Sequence, residues 1–202
     1  MKLYYSPGAC SLAVHIALRE VGAAFELIQV DLRTHTTETG GSFLDVSPRG
    51  YVPLLELGDG SRHAEGAALL QYVADLDPAR ALIGPPGSRQ RLAVVEWLTF
   101  ISTELHKGFS PWLWHKETAE STRKAVLAKL ATRFAELDAV LARSDFLAGG
   151  YSVADAYGFT ILNWAHLLGV PITAYPHLQA WMARVAARAP VQAALRAEGL
   201  LA

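Results

Sequence analysis

One cysteine, Cys10, stands in a chain of 202 residues. A lone thiol cannot close an internal disulfide, so nothing here points to a secreted, disulfide-framed domain. Neither sign of charge is in excess: Lys and Arg total 18, Asp and Glu 19. That balance argues against binding to nucleic acid or to a membrane surface through bulk charge. The opening residues MKLYYSPGAC contain no long apolar run, so no signal peptide is read. The best candidate for a membrane span is AYGFTILNWAHLLGVPI, residues 156–172. It is slightly short, carries Asn163 and His166, and follows helix-capping residues, which together make it a buried core helix. There are no internal repeats and no low-complexity segments. The expectation is a soluble, cytosolic protein. What the chain does have is apolar mass: 51% of its residues, enough for a sizeable core.

The first 80 residues differ in kind from the rest. KLYYS (2–6) is a short Tyr-rich run suited to a strand. From Ser11 to Gly22 the apolar spacing is helical, with Val14, Leu18 and Val21 on one face and Ala13 and Ala17 on a second, as in a helix buried on two sides. FELIQVDL (25–32) alternates like a strand. A strand–helix–strand unit implies parallel pairing with a right-handed crossover. After a polar stretch at 33–42, YVPLLEL (51–57) and SRHA (61–64) read as strands joined by a tight turn at GDG, and EGAALLQYVADL (65–76) as a helix. The order β-α-β, irregular stretch, β-β-α is the thioredoxin-like plan.

DPARALIGPPGSR (77–89), with three prolines and two glycines, has linker composition. No convincing strand follows it. In 89–112 Val94, Leu98, Ile101, Leu105 and Trp112 share a helical spacing, and in 122–143 Val126, Leu130, Phe134, Leu137 and Leu141 do the same. Ser152 and Asp155 stand three apart before an apolar run, close to a capping box with Asp in place of Glu or Gln. That helix is expected to stop at about Leu168, before Gly169 and Pro171. Shorter helices at about 176–187 and 190–198 complete the chain. The division is therefore 1–80, a linker at 81–88, and an all-helical 89–202.

Three places in the first part carry chemistry. Cys10 lies where the first helix begins. Helix N-termini offer unpaired N–H groups and a positive dipole end, so a thiolate is stabilised there and the thiol pKa is expected to fall. The competing description is a small buried hydrophobe. The residues after it read CSLA, so there is no C-x-x-C partner and no intramolecular disulfide cycle; a mixed disulfide with an external thiol stays open. Pro53 opens a strand, where a proline lacking N–H is tolerated, and an ordinary trans proline entering a strand accounts for it; in thioredoxin-like folds the matching bond is instead cis and the backbone of the residue before it, here Val52, pairs with a ligand. Glu65 and Gly66 start the next helix, where N–H groups bind carboxylates and an acidic residue can take an ammonium group, or where the acid merely compensates the dipole.

MKLYYSPGACSLAVHIALRE, GYVPLLEL, EGAALLQYVAD, WLTFISTELHKGFSP, SVADAY and the terminal ALRAEGL, in this order, resemble glutathione transferases of the bacterial beta class over essentially the whole chain. The resemblance implies a thioredoxin-like α/β domain followed by an all-α domain that carries the electrophile site and dimer contacts. It implies a homodimer, reduced glutathione as cosubstrate, a small hydrophobic electrophile as second substrate, and neither a metal nor a permanently bound cofactor. Carried over position by position, it makes Cys10 and His106 catalytic, with Cys10 able to form a mixed disulfide with glutathione. It places Ala9, Cys10, His35, Val52, Pro53, Glu65, Gly66, Thr99, Thr103, Glu104, His106 and Lys107 at the glutathione site. Three positions depart from the class. His35 stands where Lys usually reaches the glycyl carboxylate, Gly66 lacks a usual hydroxyl, and Thr99 replaces a usual Asn. Each is expected to weaken glutathione binding by about 1 kcal/mol where it removes one hydrogen bond.

The spacing of Thr99, Thr103, His106 and Ser110 independently forms a polar stripe on an α-helix, offset from the Leu98–Ile101–Leu105 face. Its histidine is suited to donate a hydrogen bond to Cys10 or to the glutathione sulfur. Three functions remain open on sequence: glutathione conjugation, glutathione-dependent thiol–disulfide exchange or peroxide reduction with Cys10 as nucleophile, and non-catalytic carriage of apolar ligands. In the last, Phe109, Trp112, Trp114, Tyr157 and Trp164 would line a hydrophobic site, or else serve as core or dimer contacts.

Overall fold

The computed structural model describes residues 1–201. It contains two compact units, Met1–Arg80 with the residues from Arg188 onward, and Ala81–Ala187.

In the first unit β1 (Lys2–Tyr5), α1 (Ser11–Glu20) and β2 (Glu26–Asp31) form the expected strand–helix–strand, with β1 and β2 parallel. β4 (Leu54–Glu56) pairs antiparallel with β1, and β5 (Arg62–His63) with β4. α2 (Gly66–Asp75) closes the motif. One strand was not legible: β3 (Thr36–Thr37) pairs with Val30 and Asp31 at the sheet edge, giving the order β3-β2-β1-β4-β5. A polar two-residue strand has no periodicity to read. A 3₁₀ turn at Phe43–Asp45 follows it, and buries Phe43 against Tyr4, Val30, Val52 and Leu54. All of Ser11–Leu18 is buried, as a helix covered on two sides requires.

One of those covers is α8 (Ala189–Ala197), the last helix, which departs from the division of 89–202 as a single helical body. Charge pairs fasten it to α1. Arg188 donates from Nε and Nη2 to the two carboxylate oxygens of Glu20 at 2.7 and 2.8 Å. Val191 and Ala194 are fully buried. Helical periodicity shows that a face must be covered, not which body covers it.

The second unit is helical: α3 (Arg89–Phe100), a π-helical stretch (Ile101–His106), α4 (Lys107–Phe109), α5 (Glu120–Leu141), α6 (Val153–Leu167) and α7 (Pro176–Ala186). The expected linker 81–88 is partly built into it. Leu82 and Ile83 are buried, and the Leu82 carbonyl accepts the Val153 N–H at 3.1 Å. α6 is buried along almost its whole length, and no helix among the described residues is long and apolar enough to cross a membrane. Its capping box is present: Ser152 and Asp155 satisfy each other's backbone N–H groups. α5 in turn caps α7, since Asp138 Oδ1 accepts the N–H groups of His177 and Leu178 at 2.8 and 2.9 Å.

The helix expected through residue 112 ends at Phe109. Ser110 is extended, the Ser110–Pro111 bond is cis, and Trp112 is exposed instead of continuing the Val94–Leu98–Ile101–Leu105 face. A proline cannot extend the α-helical ladder.

Candidate functional site

The first unit gathers one set of the candidate residues. β1 ends in the turn Ser6–Cys10, and Ser11 locks that turn from the helix side. Its Oγ accepts the Ser6 N–H at 3.2 Å and donates to the Ser6 carbonyl at 3.3 Å. Ala9 N–H bonds to Ser6 O at 3.0 Å, and Ala9 packs on the Tyr4–Phe43–Val52–Leu54 cluster. Cys10 is then the N-cap of α1, partly buried, and its Sγ donates to the Val52 carbonyl at 3.3 Å. A sulfur at a helix start sits by the unpaired N–H groups and positive dipole end that favour its thiolate form.

Val52 and Pro53 are buried, and the bond between them is cis. Pro53 in turn lies beside the start of α2. A Cβ built on Gly66 would sit 3.9 Å from Pro53 Cγ, ordinary contact distance. Glu65, the N-cap of α2, adopts φ 70°, ψ 102°, a left-handed backbone uncommon outside glycine. Such backbone gathers at ligand sites. The carboxylate of Glu65 meets Arg49 Nη1 at 3.4 Å, but both side chains are more than two-thirds exposed, so the pair contributes little to stability. Arg49 had no signal in the sequence that marked it. Cys10 thus meets Val52, and Pro53 lies next to the Glu65–Gly66 helix start.

His35 joins this unit from the polar stretch, with φ 53°. Its ring leans on Gly50, where a Cβ would come within 2.7 Å of Cε1 and 2.8 Å of Nδ1; only glycine fits there. Nδ1 is buried with no hydrogen-bond partner. Any contact with a carboxylate therefore falls to Nε2.

The second unit holds the remaining candidates, and the structure divides them. Thr99 and Thr103 are exposed with their hydroxyls turned back to the helix, donating to Val95 O at 2.9 Å and Thr99 O at 3.0 Å. Lys107 is exposed. Glu104 is engaged by α5: Arg133 Nε and Nη2 lie 2.9 and 2.8 Å from its Oε2, and Lys129 Nζ 3.1 Å. The hydrogen bonds from Lys129 and Arg133 hold its carboxyl below the usual range. The polar stripe expected on a regular α-helix is broken, because Ile101–His106 is π-helical and Ser110 lies beyond the helix end. π-helical insertions are rare and lie frequently at functional sites.

His106 ends that π stretch. Its Nδ1 is 2.8 Å from the Tyr157 hydroxyl, and its ring packs edge-on against Tyr157 (centroids 6.0 Å) and Trp164 (5.1 Å) of α6. Burial, and secondarily the neighbouring Lys107 charge, push its pKa down to about 4. His106 is thus a neutral imidazole at physiological pH, a hydrogen-bond donor or acceptor and not a cation. Of the aromatic residues singled out for an apolar site, Trp112 and Trp114 are exposed, whereas Phe109, Tyr157 and Trp164 are buried. Trp114 and Phe109 each meet the Trp164 ring edge-on, at 5.6 and 6.2 Å.

Comparison with known proteins agrees with both units. Residues 8–76 match the family model described as the N-terminal domain of glutathione S-transferase, and residues 100–189 match the C-terminal domain of glutathione S-transferase. Glutathione S-transferase GstA of Escherichia coli O157:H7 is 44% identical over 201 residues, covering 99% of this chain and 100% of the relative. A sphingomonad glutathione S-transferase solved in complex with glutathione superposes with a TM-score of 0.94 at 44% identity, covering 99% of this chain and 100% of that one. The bacterial beta class glutathione S-transferase of Sphingomonas chungbukensis gives 0.94 at 42% identity, with 100% of each chain covered.

Proposed function

The chain belongs to the glutathione S-transferase family, and from that premise we propose that it binds reduced glutathione and transfers the alkyl or aryl group of a small hydrophobic electrophile to the glutathione sulfur. The carrying observation is Cys10, at the N-cap of α1 with its sulfur 3.3 Å from the Val52 carbonyl, beside the Glu65–Gly66 start of α2. Glutathione needs three things that this surface offers. Its thiolate wants a helix N-terminus. Its γ-glutamyl carboxylate wants backbone N–H groups, and its ammonium a carboxylate, which Gly66 and Glu65 supply. Its backbone wants main-chain hydrogen-bonding groups outside the sheet ladder, and Val52, which precedes Pro53 and β4, is the candidate for them. From the resemblance we assign His106, a neutral imidazole, the role of hydrogen-bond donor to the glutathione sulfur. A donor there lowers the pKa of the glutathione thiol and raises the nucleophilic fraction near pH 7.

Cys10 also forms a mixed disulfide with glutathione. The Cys10 thiolate attacks one sulfur of glutathione disulfide, the S–S bond breaks, and one glutathione leaves as thiolate. With no second cysteine in the chain, an external glutathione resolves the product. The same step is the basis of the thiol–disulfide exchange reading. Cys10→Ala removes that exchange while conjugation persists if glutathione is the nucleophile. The protein is read as a cytosolic homodimer, which fits a lone cysteine and large apolar side chains such as Leu92 at 69% exposure.

Calorimetric titration of reduced glutathione near neutral pH is the first test. The reading expects binding in the micromolar to low-millimolar range. No binding would overturn it and leave carriage of apolar ligands in its place.

A further inference from the structure

We propose that Tyr157 is a positioning residue that fixes the tautomer of His106: its phenol O–H donates to Nδ1, leaving the one proton of the neutral ring on Nε2. The 2.8 Å separation of Nδ1 and the hydroxyl is a full hydrogen bond, and the direction follows from acid–base strength. Imidazole nitrogen, whose conjugate acid titrates near 6.5, is a far better acceptor than a phenol oxygen, and a phenol with a pKa of about 10 is the better donor. Tyr157 is 3% exposed and belongs to α6, so its hydroxyl approaches from a rigid, buried helix. Trp164, two turns further along α6, holds the ring edge-on at 5.1 Å and 75°. The imidazole is thereby pinned between two α6 side chains.

No carboxylate makes a hydrogen bond or ion pair with the ring among the described residues, and its one charged neighbour in the sequence, Lys107, opposes a second proton. Burial acts in the same direction. The ring therefore carries one proton, and the nitrogen left to meet a substrate, Nε2, has it.

The inference rests on the reading in which His106 donates to the glutathione sulfur. The wrong tautomer would turn a lone pair, not an N–H, toward an anionic sulfur. Tyr157 selects against it, as the second partner of an active-site histidine does generally. Neither the family models nor the polar stripe in the sequence assigns Tyr157 this role.

The test is long-range ¹H–¹⁵N correlation spectroscopy on the labelled protein without substrate. The chain has 7 histidines, and His106→Gln identifies the His106 signals. His15 supplies an internal reference for the opposite tautomer, because its Nε2 accepts from Arg19 Nε–H at 2.8 Å and its proton must lie on Nδ1. The expected result is a single Nε2–H tautomer for His106 in the wild type, and a mixture or an Nδ1–H form in Tyr157→Phe, which keeps the ring packing. In turnover, kcat of Tyr157→Phe should drop about tenfold, with KM for glutathione changed less than about twofold. An Nδ1–H tautomer in the wild type, or an unchanged tautomer in Tyr157→Phe, overturns the proposal. The spectrum decides this without catalysis. Full activity in His106→Ala would instead overturn the donor role of His106, on a separate sample.

Discussion

His15 and Glu198 are 183 residues apart in the chain, yet His15 Nδ1 lies 2.8 Å from Glu198 Oε1 with both side chains wholly buried. The protonation pattern is set by geometry. Arg19 can only donate, so His15 Nε2 accepts from it, and Nδ1–H donates to Glu198. The second carboxylate oxygen of Glu198 accepts the Gly8 N–H at 2.9 Å. Leu200 packs on the same glycine, 3.6 Å from where a Cβ would sit. The terminal helix thus braces the turn that presents Cys10.

Glu198→Gln tests that brace. One amide oxygen can serve His15, but the NH₂ group then faces the Gly8 N–H, donor against donor. Replacing that hydrogen bond by a donor–donor contact at a partly buried site costs about 1 kcal/mol, which for a chain of this size lowers the melting temperature by roughly 2–4 °C. Thermal unfolding at pH 7 measures it; an unchanged midpoint would show that the brace contributes nothing.

Asp155 invites a harsher substitution. Its Oδ1 accepts the Leu147 N–H at 3.0 Å and the Trp181 indole N–H at 2.8 Å, and its Oδ2 accepts the Ser152 N–H at 2.9 Å and hydroxyl at 3.0 Å. Four donors converge on one buried carboxylate. Burial raises its pKa, and these hydrogen bonds work the other way. Asp155→Asn supplies only one acceptor oxygen and puts a donor among donors. The expected loss is roughly 2–4 kcal/mol of stability, by denaturant unfolding at neutral pH. A loss below about 0.5 kcal/mol would mean that the cap contributes far less than its geometry suggests.

Much of this was legible because it is local. The strand–helix–strand at residues 2–32, the Ser152–Asp155 cap and the Cys10 helix start each depend on residues within one or two turns of each other. Three features were not. Glu198 and His15 meet only after folding, and neither has a nearby residue in the sequence that signals the other. The spacing Val94, Leu98, Ile101, Leu105 fits an α-helix and tolerates one π turn equally well, so the π stretch at Ile101–His106 and the loss of Ser110 from the polar stripe left no mark. Glu104 is assigned to the glutathione site by the resemblance alone, and its ion pairs with Lys129 and Arg133 on α5 left no mark in the sequence. Charged side chains on a helix reveal their exposure by pattern, not their partners.

Gly66→Ser examines a departure from the class directly. The modest contact of a Cβ with Pro53 Cγ at 3.9 Å, and a backbone outside the left-handed region, leave room for the new side chain. A hydroxyl at the helix start adds one hydrogen bond to a carboxylate, about 1 kcal/mol or a fivefold tighter Kd for glutathione. Calorimetry on the two proteins compares them. Equal or weaker binding by the variant would show that the γ-glutamyl group does not sit at this helix start.

The pH dependence of stability follows from His106. Its folded pKa of about 4 lies below the unfolded value of about 6.5, so between those values the unfolded chain binds the proton that the folded ring refuses. Stability therefore rises with pH across this window. The stabilisation is fully present above about pH 6.5 and is lost progressively as the pH falls toward 4, to a total on the order of 3 kcal/mol. Acidic side chains titrate in the same range, so the comparison is with His106→Gln, which shares them and lacks the imidazole. The gap in unfolding free energy between wild type and variant should shrink by about that amount, in favour of the variant, between pH 7 and pH 4. A constant gap would show that the ring takes up its proton as readily folded as unfolded. The imidazole would then be a cation over part of that range, and Nδ1 could no longer accept from Tyr157 there.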